Sequence, residues 1–465
     1  MASETTWADT DFGAVALGDK RLNRRAVQIA KEAFANPAGQ VTQVCRSAAS
    51  LEATFRFLNN PRVDLTRLGE APFQASAQGC AGHEVVIVPL DQSTLSVTDR
   101  TGAKGFCRVG STPSRGRRGV EVMTALAMTP EGCVLGVCAQ QWWLRPEARS
   151  PDYVEDRRPV HARESGLWTR TIEQAESLFE RSAPRTRRWY QLDRGGDAWH
   201  VLLKASREDL LLTVRAAYNR RLDDEHQTTY LFETLSQQKP LGRYACTLSP
   251  DAARRAGHSK HRARQLEVRA CPVTLRVVDT LTRTPVPVSC WAVDVWERRP
   301  PSGCSRLHWR LLTTYPVDNA DDAVRVIQGY ACRWRIEEFH RTWKSGCCDI
   351  ERSQLRSCAA FQRWATLMAA VASRVEQLKS ARSDRKLNAL ELATRDEIDA
   401  AILLSETKKF KIGRKLTAEQ FVTLVAQVGG YTGKSSGGPP GAQTIARGLE
   451  RVVYTAKGIG MMRKM

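Results

Sequence analysis

Tyr330, Arg333, Glu337 and Lys344 lie in one short stretch, at offsets of 3, 7 and 14 from the tyrosine. At about 100° per residue on an α-helix, all four project within a stripe roughly 60° wide. A tyrosine, two cations and a carboxylate therefore share a face. Arg333 and Glu337 are an i,i+4 pair of the kind solvated helices carry. Trp334, Arg341 and the nearby His340 add an aromatic and cationic density that a plain solvated face lacks. A carboxylate among phosphate-binding cations suits a metal-dependent phosphoryl transferase: metal neutralises the acid while the cations hold a nucleic-acid backbone.

The stripe needs a helix, and Asp321 to Trp343 has a strong helical pattern. Two further carboxylates stand where apolar runs end. Val85 to Leu90 reads as a buried strand stopping at Asp91, and Arg188 to Leu192 as another stopping at Asp193. An aspartate at a strand end is, taken alone, usually a turn or cap residue. On neighbouring parallel strands the two would meet at one sheet edge. Between them, Val120 to Met128 and Cys133 to Cys138 read as strands joined by a Pro-Glu-Gly turn, and Thr169 to Arg181 as a helix. Such interleaving implies an α/β core. Thr229 to Thr314 alternates apolar and polar residues, as in Leu266 to Val278 and Val288 to Trp296, and reads as a mostly β block.

The ends of the chain differ in texture. Leu17 to Ala35 and Ala48 to Leu58 carry helical periodicity, so the first ~75 residues read as a small helical unit. Lys20, Arg21, Arg24 and Arg25 fall in the first turns of the first of these helices, where cations oppose the helix dipole. A phosphate partner accounts for that placement, and so does a solvated basic face. From Ala360 onward the pattern is helical, then basic at Lys408 to Lys415, then Gly/Pro-rich, then helical again at Thr444 to Val453.

The whole composition narrows the function. The chain of 465 residues has 70 Lys plus Arg against 50 Asp plus Glu, a net charge of +20, which points to a polyanionic partner such as nucleic acid. About three domains are expected from the length, and 42% hydrophobic residues excludes a disordered chain. The longest near-apolar run, Trp364 to Ala372, is far short of the ~20 residues of a membrane span, and the acidic start does not read as a signal peptide. A cytoplasmic protein is expected. Thirteen scattered Cys without a CxxC pair argue against a disulfide framework, and the eight His contain no HExxH zinc motif. Gly433-Lys434-Ser435 fails as a phosphate loop, because the first glycine of that motif would fall at Val428 and a Gly/Pro stretch follows where a helix is needed.

The Tyr330-to-Lys344 spacing, Y-(2)-R-(3)-E-(6)-K, resembles the signature of bacterial cut-and-paste DDE transposases of the insertion-sequence-four family. Further landmarks follow in the family's order: Phe12 to Leu22, Phe55 to Pro61, Asp91 to Leu95, Trp142 to Pro146, Glu164 to Trp168, Asp193-Arg194 and Trp309 to Val317. The likeness spans essentially the whole chain. It implies an RNase H-like α/β core, a mixed sheet with flanking helices, over residues 76–359 with a β-rich insertion at about 228–314. It also implies an N-terminal helical DNA-binding domain over 1–75 and a C-terminal helical dimerisation region over 360–465. Asp91, Asp193 and Glu337 would form the catalytic, metal-holding triad, with Asp197 and Glu338 as rivals of which the helix stripe disfavours Glu338. Two Mg²⁺ ions are implied, with Mn²⁺ as a substitute.

By the same resemblance Tyr330, Arg333, Trp334, Arg341 and Lys344 would hold end phosphates, Arg215 would contact DNA, and Trp309 would stack near a flipped base unless it is ordinary core. The partners would be double-stranded DNA, at element ends and target, and a second copy of the chain. The activity implied is nicking, hairpin formation and opening, and strand transfer. Two other readings stand beside it: a related nuclease or recombinase without end-joining, and a catalytically silent DNA-binding repressor. One landmark departs: where a family member reads DREAD, this chain has Asp193-Arg194-Gly195-Gly196-Asp197.

Overall fold

The computed structural model describes residues 5–109, 118–145, 158–223, 228–247, 263–280, 282–300, 302, 306–384, 386–434 and 438–463. Pro146, at the end of one landmark, and residues 435–437 of the Gly/Pro stretch lie outside the described residues. In chain order the helices are α1 (Trp7–Phe12), α2 (Lys20–Ala35), α3 (Val41–Val44), α4 (Ala48–Asn59), α5 (Leu65–Gly79), α6 (Leu167–Ser182), α7 (Trp199–Arg207) and α8 (Leu231–Gln237). They continue as α9 (Ala320–Cys332), α10 (Trp334–Lys344), α11 (Cys358–Ala381), α12 (Arg395–Leu404), α13 (Ala418–Val428) and α14 (Ala442–Met462). The strands are β1 (Val85–Val97), β2 (Cys107–Arg108), β3 (Arg118–Met128), β4 (Val134–Trp143), β5 (Arg187–Leu192), β6 (Leu211–Arg215), β7 (Gly242–Thr247), β8 (Ala263–Val278), β9 (Pro285–Glu297) and β10 (His308–Thr313).

All ten strands form one mixed sheet in the order β2-β3-β1-β5-β6-β10-β9-β8-β7, with β4 on β3. β1, β5 and β6 run parallel at its centre, and the remaining pairings are antiparallel. The central strands are buried on both faces, which is why they read as continuous apolar runs rather than alternating ones. Strands β7 to β9 are not a separate body, because β10 pairs with β6 on one side and β9 on the other and carries the sheet into them. The block expected to be mostly β also opens with a helix, α8.

Helix α11 is the hub of the helical layer. Its apolar residues go almost all the way round, including Phe361, Trp364, Leu367, Met368 and Val371, so it is buried on nearly every side. It packs against β4, α2, α4, α5, α10, α13 and α14, and thereby ties both ends of the chain to the sheet. Of the described cysteines, Cys45, Cys80, Cys107, Cys138, Cys271, Cys347, Cys348 and Cys358 are buried, and burial raises the thiols of Cys80, Cys107, Cys138, Cys348 and Cys358, those of Cys80 and Cys358 to about 12. They act as core residues, not as nucleophiles.

Further elements differ from the sequence expectation, among them β4, which runs past Cys138 to Trp143. β1 does not stop at Asp91 but runs on to Val97, because Asp91 through Val97 continue to pair antiparallel with β3 from Thr124 to Arg118. The helix expected over Asp321 to Trp343 is two helices that meet at Arg333. There the chain tightens: the Arg333 N–H donates to the Tyr330 carbonyl (3.1 Å) and the Ile336 N–H to that of Arg333 (3.2 Å). On the near side Gly329 is pressed onto the sheet, where a Cβ would lie 3.2 Å from Gln191 Nε2.

Candidate active site

The parallel register between β1 and β5 ends with Leu90 opposite Leu192. The next residue on each strand is an aspartate, so Asp91 and Asp193 emerge side by side where the parallel pairing stops. Asp91 stays in the sheet opposite Thr124, whereas Asp193 leaves it and caps the short turn Arg194–Gly196, its Oδ1 accepting from the Gly195 N–H at 2.8 Å. α10 packs against β1 and brings Glu337 to the same place.

The electrostatics place Asp193 and Glu337 within reach of Asp91. Burial pushes the Asp91 carboxyl up to about 7; the Arg333 guanidinium opposes the rise, and the charges of Asp193 and Glu337 add to it. Arg333 is the resident counter-cation, with its Nη2 2.8 Å from Glu337 Oε1. Its position at the junction of α9 and α10 is what lets it face Tyr330, Asp91 and Glu337 together. Among the described residues, no three acidic, imidazole or thiol groups are arranged closely enough to enclose a metal ion. The donor set on offer is all carboxylate oxygen, the chemistry of a hard divalent cation.

The two rivals are occupied elsewhere. Asp197 is buried and bonded to the Arg220 guanidinium at 2.6 Å and to the backbone N–H groups of Ala217 (2.7 Å) and Tyr218 (3.3 Å). Glu338 sits between Arg335 (2.9 Å) and Lys379 (3.1 Å), whose charges outweigh burial and hold its carboxyl below the usual range. The departure at 195–196 also has a local reason. A Cβ on Gly196 would lie 2.5 Å from the Leu192 side chain, so this turn folds back onto the end of β5.

The expected DNA-contacting residues divide into groups. Tyr330, Arg215 and Trp309 gather beside the acids: Trp309 meets Tyr330 edge to face at 5.3 Å, and Arg215 donates to the His308 carbonyl at 3.0 Å. Burial raises the Tyr330 hydroxyl, opposed by the charges of Arg333 and Arg215. Trp309 is half-buried and packed against the core, so it keeps a partly open ring. On α10, Trp334 is half-buried and Arg341 exposed, while Lys344 lies 3.7 Å from Glu351, whose Oε1 accepts from Ser96 of β1. Lys20, Arg21 and Arg24 are exposed and Arg25 half-buried on α2, in the N-terminal helical unit.

Sequence reasoning counted His340 only toward the density of the helix stripe, without its contact to Asp91, and it missed one further feature. His340 Nδ1 lies 3.7 Å from Asp91 Oδ2; its spacing of three from Glu337 was the available signal. The missed feature is a buried acid, Glu121 on β3, which accepts from Thr94 and Gln92 of β1 and lies 3.4 Å from Arg145, itself bonded to Glu164. It braces β1 directly after Asp91, and only the fold reveals it, because its partners are far apart in sequence.

Comparison with known families gives two matches. Residues 4–63 match the family described as Transposase DNA-binding, the segment that carries the α2 cations. Residues 199–373 match the family described as Transposase DDE domain, a segment that includes Arg215, Trp309, Tyr330, Arg333, Glu337 and Lys344. With a transposase DNA-binding domain followed by a transposase DDE domain, the chain is a metal-dependent DNA-cleaving enzyme of the DDE transposase kind.

Proposed function

We propose that this chain moves an insertion sequence by cut-and-paste transposition, in the manner of the insertion-sequence-four transposases and most like the transposon-five enzyme, with Asp91, Asp193 and Glu337 as its catalytic carboxylates. One observation carries the reading: the register that sets Asp91 and Asp193 side by side where the parallel pairing of β1 and β5 ends, with α10 packed against β1. The three acids would hold two divalent ions, Mg²⁺ by preference and Mn²⁺ as a substitute. Their mutual repulsion is the condition that added positive charge relieves. When bound, such ions supply activation of the attacking oxygen and stabilisation of the leaving oxygen in an in-line displacement.

The chain's own residues do the rest. Arg333 and Lys344 provide charge for the phosphates on either side of the scissile bond, and Tyr330 adds a hydroxyl next to Asp193. Arg215 and the open part of the Trp309 ring form a wall on which an unstacked base can lie. Nicking, hairpin formation, hairpin opening and strand transfer are then the same phosphoryl transfer with different attacking oxygens. Two ends must be joined, so the functional unit is a homodimer with one end in each active site, paired through the C-terminal helices over 360–465. Supercoiled DNA carrying the element's ends, incubated with protein and Mg²⁺, should yield nicked, hairpin and joined products. Nicked products alone would leave a nuclease without end-joining.

A further inference from the structure

His340 has no part in the reaction as described so far, yet it is the imidazole that faces the catalytic pocket. It lies on α10 one turn beyond Glu337, 6% exposed, with ring centroids 5.5 Å from Phe339 and 6.5 Å from Trp343. Packing of this kind fixes the ring plane. Its Nε2 is buried without a hydrogen-bond partner. Its Nδ1 is 3.7 Å from Asp91 Oδ2.

We propose that His340 is a positioning residue whose Nδ1–H orients the Asp91 carboxylate, leaving the other carboxylate oxygen directed to the metal-holding cluster. The inference rests on the reading of Asp91 as one of the metal-holding acids. The geometry decides where this ring carries its proton: Nδ1 is the nitrogen that faces the Asp91 carboxyl. Nε2 is unsatisfied in either tautomer, so the environment of Nδ1 decides between them. A lone pair at Nδ1 would face a carboxylate oxygen, whereas an N–H there attracts it. At 3.7 Å the pair is longer than a hydrogen bond, and a small side-chain rotation closes it. A ligating carboxylate held by such a donor binds its ion in one orientation, and loss of a supporting partner of this kind costs about 10–100-fold in metal affinity.

The test uses His340→Asn, His340→Gln and His340→Ala in the full-length protein. The side-chain amide of Asn can place an N–H near the position of Nδ1, whereas that of Gln reaches toward Nε2. Mn²⁺ binding is read from the electron paramagnetic resonance signal of the free ion, and cleavage of end DNA is measured alongside. We expect Gln and Ala to weaken Mn²⁺ binding about 10–100-fold, and Asn to restore it to within about threefold of the parent. Equal affinities for Asn and Gln, or an unchanged Ala variant, would overturn the proposal. So would failure of both Asn and Gln to fold, which would make the ring a packing element. Asp91→Asn, run in parallel, separates the two readings. If it keeps full Mn²⁺ affinity and cleavage, the assignment of Asp91 falls and the role of His340 with it. If it loses both while the His340 variants do not, only the His340 proposal falls.

Discussion

At the scale of single residues, the site is defined by an imbalance of charge. Three carboxylates are brought together in a chain of net charge +20, and the Arg333 guanidinium answers them. Burial raises the Asp91 carboxyl, and the neighbouring acids add to the rise. The acids are not interchangeable with their neighbours, since Asp197 and Glu338 have cations of their own. Asp91→Asn, Asp193→Asn and Glu337→Gln should therefore each lower the rate of end cleavage by about 10³-fold or more, corresponding to about 4 kcal/mol of transition-state stabilisation. Circular dichroism and affinity for duplex DNA should stay close to those of the parent. Cleavage that survives all three changes would move the chemistry away from this pocket.

At the scale of elements, loops fasten the acids in place. Asp197 joins the turn after β5 to the chain leaving β6 through Ala217, Tyr218 and Arg220, and so anchors the turn that Asp193 caps. Its side chain is fully buried, and removing one partner of a buried pair costs about 3–5 kcal/mol because the other is left uncompensated. Asp197→Ala should lower the thermal midpoint accordingly while leaving Mn²⁺ affinity unchanged; a metal ligand would show the reverse. A second element-scale effect concerns α1. Burial raises Asp11 to about 7 against the opposing charge of Arg374 on α11. A carboxyl raised in the folded state binds its proton longer than in the unfolded chain, so stability is lost as pH rises from about 4 to 7. Asp11→Asn should thus stabilise the protein relative to the parent at pH 8 and not at pH 3.5, by at most about 4 kcal/mol, as read from thermal melts at the two pH values. The same scale shows what a sequence reveals. The apolar runs of β1 and β5 and the aspartates after them were readable, because burial on both faces leaves a continuous hydrophobic signal. The continuation of β1 through Gln92, Ser93 and Thr94 was not, since polar residues are held there by β3 and by the buried Glu121. Nor was the break at Arg333, where the 3.6-residue pattern runs on across a tightened turn.

At the scale of the whole molecule, the cations lie on surfaces that the fold leaves open. Lys20, Arg21 and Arg24 are exposed on α2, and Lys408, Lys409, Lys411, Arg414 and Lys415 are exposed on the loop between α12 and α13. That loop is held in shape: Gly413, in a left-handed conformation, donates its N–H to the buried Asp399 at 2.8 Å, and Arg395 donates to the Arg414 carbonyl at 2.9 Å. The two ends of the chain also touch. Arg46 pairs with Glu450 at 2.8 Å and lies 3.8 Å over the Tyr454 ring. DNA held by such surfaces is bound chiefly by displacing its counterions, so affinity should fall steeply with salt. With 6–10 phosphate contacts the loss is about 10³–10⁵-fold between 50 and 200 mM salt. Replacing Lys20, Arg21 and Arg24 by Ala should flatten the slope of log affinity against log salt by about 0.9 for each phosphate contact removed. Fluorescence anisotropy on end-containing and unrelated duplexes would measure both slopes. A near-flat dependence in the parent, or a slope unchanged in the triple variant, would place recognition somewhere other than α2.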